Sequence, residues 1–275
     1  MLGHRYKCKL SEVNKEKARR ELNEPLDNEE RLKQIDKFLS FYHQKYPKLK
    51  EEEQKDKFLL RFLRARKFNC EGAAKMMCNY VNRHATAKEV FDIVGKPAEL
   101  RQFHDSKCIT VLRGRARNMA AIVLLKPTKC RTDITEFIAV VFLALEKLLE
   151  NEENQVHGII LIEDLNYVNF NIASQVTPKF GKKITELIQD TMPMRLKCIC
   201  VVNESWLFNI VYSVVRPFLK DKLRKRITIV GKEYGKLHEL ITQQELPECY
   251  GGKMKDSELN QKKWSDILMG VGRRL

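Results

Sequence analysis

From Glu29 to Tyr46 the apolar side chains Leu32, Ile35, Leu39, Tyr42 and Tyr46 recur at spacings of three and four, and Pro47 follows directly. That rhythm predicts one helix with a single apolar stripe, closed by a residue that cannot continue it. The segment "DKFLLRFLRARKF" predicts a second helix with Phe58, Leu59, Phe62 and Leu63 turned inward. A third begins at about Cys70, with Ala73, Met76, Met77, Tyr80 and Val81 on its buried side. Short helices joined by short loops make a small antiparallel bundle, expected here over residues 27–95. The first 25 or so residues are polar and charged.

After "VGKPAEL" the period changes. Short β-type runs follow: "CITVL" (Cys108 to Leu112), "AAIVLL" (Ala120 to Leu125), "GIILIEDL" (Gly158 to Leu165), "KCICVVN" (Lys197 to Asn203) and "RITIV" (Arg226 to Val230). Helical segments separate the later ones: "TDITEFIAVVFLALEKLLE", "SQVTPKFGKKITELIQD" and "NESWLFNIVYSVVRPFLKDKLRKR". Alternating strands and long helices argue for an α/β domain with a substantial parallel portion, over residues 96–253. The tail, residues 254–275, follows the turn "LPECYGGKM" and is expected to end in a short helix at "WSDILMGVGRRL".

Charge adds a second layer to this pattern. The 275-residue chain carries 51 basic and 36 acidic residues, a net charge of +15, which points to an anionic partner. Eleven basic and four acidic residues fall between Lys179 and Arg226, so the excess is concentrated there. Five of its cations (Lys220, Lys222, Arg224, Lys225 and Arg226) directly follow an apolar helix. Hydrophobic residues at 43% suffice for an ordinary core. The start, "MLGHRYKCKL", has no apolar export segment, and the longest clean apolar run, Phe137 to Leu145, is too short to span a bilayer. Eight irregularly spaced cysteines are expected to be reduced thiols in a soluble cytoplasmic protein. Cys198 and Cys200 share one face of a strand, where core packing is their expected role.

Local signatures of chemistry are missing. No G-x-G-x-x-G follows a strand, and there is no P-loop, no H-E-x-x-H, no zinc spacing and no G-x-S-x-G. Glu163 and Asp164 are neighbours on one strand and point to opposite faces, so they are no facing carboxylate pair. The basic cluster has no interleaved aromatics and no RNA-binding spacing, which argues against nucleic acid. The expectation is a protein that is not an enzyme and holds no metal or cofactor.

"FLLRFLRARKFNCEGA" resembles the N-terminal helical motif of the CRAL-TRIO lipid-transfer family. "EDLNYVNFNIASQVTP" is similar to that family's central strand and following helix. "VNESWLFNIVYSVVRPFLKDKLRKRITIVG" and "LPECYGGKM" look like its lid helix, next strand and closing motif. The motifs run in order from about Asp56 to Met254, and are most similar to those of its tocopherol- and retinaldehyde-binding members. The resemblance implies a mixed sheet flooring an apolar pocket, a mobile helical lid and a helical module in front. It also implies a monomer that carries one hydrophobic molecule, such as a tocopherol or retinoid, between membranes. A lid that opens at a bilayer needs apolar side chains for the interface and cations for the head groups, so the two features belong together.

By position, the resemblance implies a pocket lined by Ile138, Val141, Leu145, Ile159, Glu163, Ile184, Leu187, Ile188, Met192, Met194 and Ile199. The lid would contribute Trp206, Phe208, Ile210, Val211, Val214, Val215, Phe218 and Leu219. Arg66, Arg195, Lys222 and Arg226 correspond to cations that take a phosphoinositide head group, an anionic membrane surface met transiently. Val141 and Leu145 stand where the tocopherol-binding member has serines. Glu163 stands where an aromatic residue is usual, so it either anchors a polar group of the ligand, pairs with a cation or meets solvent. The alternative function is a lipid sensor that acts through a protein partner.

Overall fold

The computed structural model describes residues 5–46, 48–95, 108–127, 133–166, 168–255 and 259. Among the described residues six α-helices come first: α1 (Glu12–Leu22), α2 (Asn28–Lys45), α3 (Asp56–Ala65), α4 (Cys70–Val81), α5 (Arg83–Thr86) and α6 (Lys88–Val94). The stripes named above account for α2 to α4, whose Ile35, Phe62, Met77 and Tyr80 are buried. α1 lies in the stretch read only as polar. It buries just Ala18 and Leu22, too few for a visible stripe, and its ends are set by caps. The Ser11 hydroxyl accepts from the Asn14 N–H at 3.3 Å, and Asn23 closes the helix in the left-handed conformation.

The second part runs β1 (Ile109–Arg115), β2 (Ala121–Leu125), α7 (Ile134–Leu149), α8 (Glu152–His157), β3 (Ile159–Asp164), α9 (Phe170–Ser174) and α10 (Pro178–Glu186). It continues with β4 (Leu196–Val202), α11 (Trp206–Val215), α12 (Asp221–Arg224), β5 (Ile227–Gly231) and α13 (Gly235–Leu240). The sheet is mixed, in the order β1-β2-β3-β4-β5: β1 pairs antiparallel with β2, and the remaining pairs are parallel. All five strands coincide with the β-type runs. The expected C-terminal helix lies outside the described residues.

Alternation along the strands divides the interior. Val123, Ile159 and Leu161 join the core that also holds α2 to α4 and α7. Ile122, Ile160, Ile162, Cys198 and Cys200 point the other way, onto Leu237, Leu246 and Tyr250. The helical bundle and the sheet therefore share one continuous core, joined also by the edge-to-face contact of Phe91 with Phe142 at 4.7 Å. Gly158 starts β3 at φ +87°, where a Cβ would lie 2.3 Å from the Arg195 carbonyl oxygen. Only glycine fits, and the next N–H, of Ile159, donates to that carbonyl at 2.9 Å, fixing β3 against β4.

One segment departs from the pattern. The stretch read as helical, Ser174 to Asp190, starts late: α9 ends at Ser174, and α10 begins only at Pro178, behind a Thr177 cap whose hydroxyl accepts from the Phe180 N–H at 3.2 Å. Proline at the first helical position is compatible with a start and not with an interior. The last turn, Leu187–Thr191, widens to a π-turn.

Candidate functional site

On the sheet face that carries Glu163, Ile199, Val201 and Ile227, the covering helices stand off and leave a cavity of about 220 Å³. Ile134, Phe137 and Ile138 of α7 form one wall. Ile172 and Ala173 of α9, with Phe180, Gly181 and Ile184 of α10, form another. α11 is the roof, with Phe208, Val211, Tyr212 and Val215 turned inward and Leu219 and Leu223 closing its end. The helical period leaves Trp206 (67% exposed) and Ile210 (48%) on the outer face, beside Phe170 (72%) of α9. This helix is thus apolar on both sides, which a helix covering a protein core alone does not require. Apart from Glu163, Thr185 and Tyr212 the lining is apolar, and the Thr185 hydroxyl already donates to the Lys182 carbonyl at 2.8 Å.

A smaller cavity of about 40 Å³ adjoins it, lined by Ile138, Val141, Phe142, Leu145, Ile184, Leu187, Ile188, Met192 and Met194. Ile138, Ile184 and Ile188 border both spaces. Of the residues expected on the pocket wall, Glu163, Ile199, Phe208, Val211 and Val215 line the larger space, and Val141, Leu145, Leu187, Met192 and Met194 the smaller. Ile159 lines neither. It sits four residues, about 13 Å, down β3 from Glu163, fully buried in the core. The walls from α9 and from Phe137, Phe180, Val201, Tyr212 and Ile227 were missed, although the alternation of β4 and the 3–4 spacing of α11 already place Val201 and Tyr212 beside expected residues.

The Glu163 carboxyl has no hydrogen bond or ion pair among the described residues. It is half-buried because it meets the cavity, and burial away from bulk water pushes its carboxyl above the ordinary value of 4.5. On the opposite face Asp164 accepts from Tyr250 Oη at 2.6 Å and from Asn203 Nδ2 at 3.0 Å, which ties the closing motif to the sheet. A carboxyl raised by folding supports the fold while protonated, so its contribution is full below the unfolded value and is lost as pH rises through the raised one. Glu163→Gln is expected to remove this loss. In thermal melts of lipid-free protein, the variant should gain on wild type between pH 5 and pH 8. An unchanged difference would show that the carboxyl is solvated.

A second depression lies beyond the end of α11, with a volume of about 240 Å³. Arg66, Lys67, Arg195, Lys197, Lys220, Lys222 and Arg226 line it, against the carboxylate of Asp190. All four cations expected to converge do so, from α3, the start of β4 and the α12–β5 junction. Lys67, Lys197 and Lys220 complete the group. Burial lowers the Lys222 pKa, and Arg226, Arg66, Lys67 and Arg195 lower it further. The Arg226 pKa falls for the same two reasons, burial first and then Arg195. Like charge is thus crowded in this cleft. Asp190 offsets part of it, 2.5 Å from Lys220 and 3.7 Å from Arg66. Arg195 is held by Glu21 of α1 at 2.9 Å and by the Val156 carbonyl, and Arg226 donates to the Leu196 carbonyl. Ile188 and Leu223 line both this cleft and the apolar cavity, so the two spaces share walls.

Comparison with known proteins agrees with this layout. The CRAL/TRIO domain matches residues 105–252, and the CRAL/TRIO N-terminal domain matches residues 14–79. The chain belongs to the CRAL/TRIO family. Alpha-tocopherol transfer protein-like of Homo sapiens is 35% identical over 267 residues, covering 96% of this chain and 76% of that protein. Clavesin-1 of Rattus norvegicus is 34% identical over 220 residues, covering 78% and 61%. The crystal structure of Sfh5 shares the fold, with a TM-score of 0.51 at 17% identity over 92% of each chain. A mixed sheet flooring an apolar cavity under a helix is thus this CRAL/TRIO protein's architecture, and its class is that of lipid-binding and transfer proteins. Among the described residues no helix is long and apolar enough to cross a membrane.

Proposed function

We propose that this CRAL/TRIO protein holds one lipophilic molecule beneath α11 and delivers it between membranes, docking through the basic cleft onto phosphoinositide-bearing surfaces. The observation that carries the reading is the two-sided apolarity of α11. Its inner residues face the cavity, its outer Trp206 and Ile210 face solvent, and the cationic cleft begins where it ends. A roof of that kind can exchange its inner contacts for bilayer contacts while the cations meet head groups. Similarity to a tocopherol transfer protein-like chain supports a carrier of isoprenoid-type lipids. Glu163 is the one carboxyl in a largely apolar lining, and it anchors a hydrogen-bonding end of the ligand.

Burying about 300 Å² of apolar ligand surface at roughly 25 cal/mol/Å² gives about 7 kcal/mol before association costs, the apolar share of what holds the ligand. Mass spectrometry of an organic extract of the native protein should therefore show one lipid in stoichiometric amount and chemically unchanged. Purified protein should also move it between vesicles. No lipid in the extract, and no saturable uptake of tocopherol, retinoid, sterol or phospholipid probes, would sink the carrier reading. Uptake without vesicle transfer, together with ligand-dependent capture of a protein, would replace it by a lipid sensor. Within the same assay, Glu163→Gln should reorder affinities across the probe panel, whereas an unchanged order would remove Glu163 from recognition.

A further inference from the structure

Behind the cavity floor, on the opposite face of β4, the thiols of Cys198 and Cys200 lie 3.4 Å apart, and Cys198 Sγ is 3.5 Å from the Thr228 hydroxyl on β5. Cys200 is fully buried and Cys198 is 8% exposed, both among Ile160, Ile162 and Val230. Core packing alone accounts for two small side chains there, but not for thiols in contact beside a hydroxyl. Ile199, between them in sequence, points through the sheet into the cavity, and its N–H donates to the Arg226 carbonyl at 2.8 Å. A change in the geometry of this one dipeptide step therefore reaches both the cavity and the basic cleft.

We propose that Cys198 and Cys200 are a peroxide-responsive dithiol whose oxidation to an intrastrand disulfide loosens the cavity through Ile199. Cys198 is the attacking sulfur: hydrogen bonds from the Cys200 thiol and the Thr228 hydroxyl favour its thiolate and lower its pKa, while the same pairing and burial raise that of Cys200. The Cys198 thiolate attacks one oxygen of hydrogen peroxide. The O–O bond breaks, a sulfenic acid forms, and the departing hydroxide takes up the thiol proton as water. The Cys200 sulfur then attacks the Cys198 sulfur. The S–S bond forms, the S–O bond breaks, and hydroxide leaves with the second thiol proton as a second water. Two thiols lose two electrons and one peroxide gains them. Residues two apart on an extended strand have Cα atoms about 6.6 Å apart. That is near the upper end of the roughly 4.4–6.8 Å that a disulfide spans. Closure therefore bends β4 at Ile199, and the strained bond is readily reduced again.

The test uses the full chain, reduced, desalted and exposed to hydrogen peroxide. Tryptic mapping should show the peptide that begins at Cys198 lighter by two hydrogens and restored by dithiothreitol. In Cys200→Ser the same treatment should leave a sulfenic acid on Cys198 that dimedone captures. Binding of cis-parinaric acid should weaken at least about threefold on oxidation of wild type and recover on reduction. An unchanged peptide at peroxide doses that oxidise the exposed Cys249 would overturn the site. A disulfide that leaves probe affinity unmoved would overturn its link to the cavity. The chemistry stands apart from the carrier reading. If reduced protein takes up no probe at all, that reading fails, and the mass measurement alone decides the dithiol.

Discussion

Arg64→Ala is expected to lower stability by about 3–5 kcal/mol, the range for removing one partner of a buried ion pair. The side chain is fully buried, and all five of its N–H donors are used. Nε and Nη2 donate to the two oxygens of Glu24, each at 2.7 Å. Nη1 reaches Gln155 at 2.8 Å and Glu152 at 3.2 Å, and Nη2 also reaches the Tyr6 hydroxyl at 3.2 Å. The Glu24 carboxylate also accepts from Arg31 Nε at 2.9 Å, and Arg31 in turn donates to the Pro25 carbonyl at 2.6 Å. One guanidinium thus ties the segment before α1, the α1–α2 turn, α3 and α8 together. Its loss leaves the buried Glu24 carboxylate with Arg31 as its remaining cation, takes the ion-pair partner Arg64 from Glu152, and leaves a cavity as well. In chemical denaturation the midpoint should fall with little change in slope. Arg5→Ala is the matched control, because its bridges to Asp36 and Asp56 are exposed and worth about 0–1 kcal/mol. Equal effects from the two variants would show that burial of the Arg64 network contributes nothing.

That network also marks where reading the sequence stops. Strands, and helices with a stripe, are legible because their apolar residues repeat at the period of the element. Glu24, Arg31 and Arg64 carry no such signal. Charged residues default to the surface, and only three-dimensional convergence puts them inside. α1 escaped for a related reason, since its two buried residues make no periodic run. The basic cleft was half legible. The run from Lys220 to Arg226 announces a positive end to the lid, but nothing in spacing joins it to Arg66 or Arg195. Family resemblance supplied that link, and Lys67 and Lys197 joined it only once β4, α3 and α12 were placed side by side. The break at Thr177–Pro178 was open to reading, as Thr-Pro is a helix start. At five residues α9 is too short to show a period, so its place in the cavity wall was not legible.

The cleft makes the second large prediction. Lys222→Ala combined with Arg226→Ala should weaken binding to phosphoinositide vesicles about thirtyfold, from roughly 1 kcal/mol per cation near an anionic surface. Loss of head-group hydrogen bonds would add to that. Lys222 has no ion pair among the described residues and four cations crowding it, so in the free protein its charge is a cost that an anion would relieve. Arg195 has its charge largely answered by Glu21, and its replacement alone should matter less for vesicles and more for the seat of α1. Leu223, next to Lys222 in the chain, faces the apolar cavity, while both replaced side chains line the cleft. The affinity for the carried lipid in solution should therefore change little. Added salt should weaken wild-type vesicle binding more steeply than that of the double variant, which has fewer charges to screen. Equal vesicle binding by the two proteins would remove the cleft from membrane recognition. Loss of the carried lipid from the double variant in solution would mean instead that these cations hold α11 closed, with the end of the roof and not the membrane as their partner.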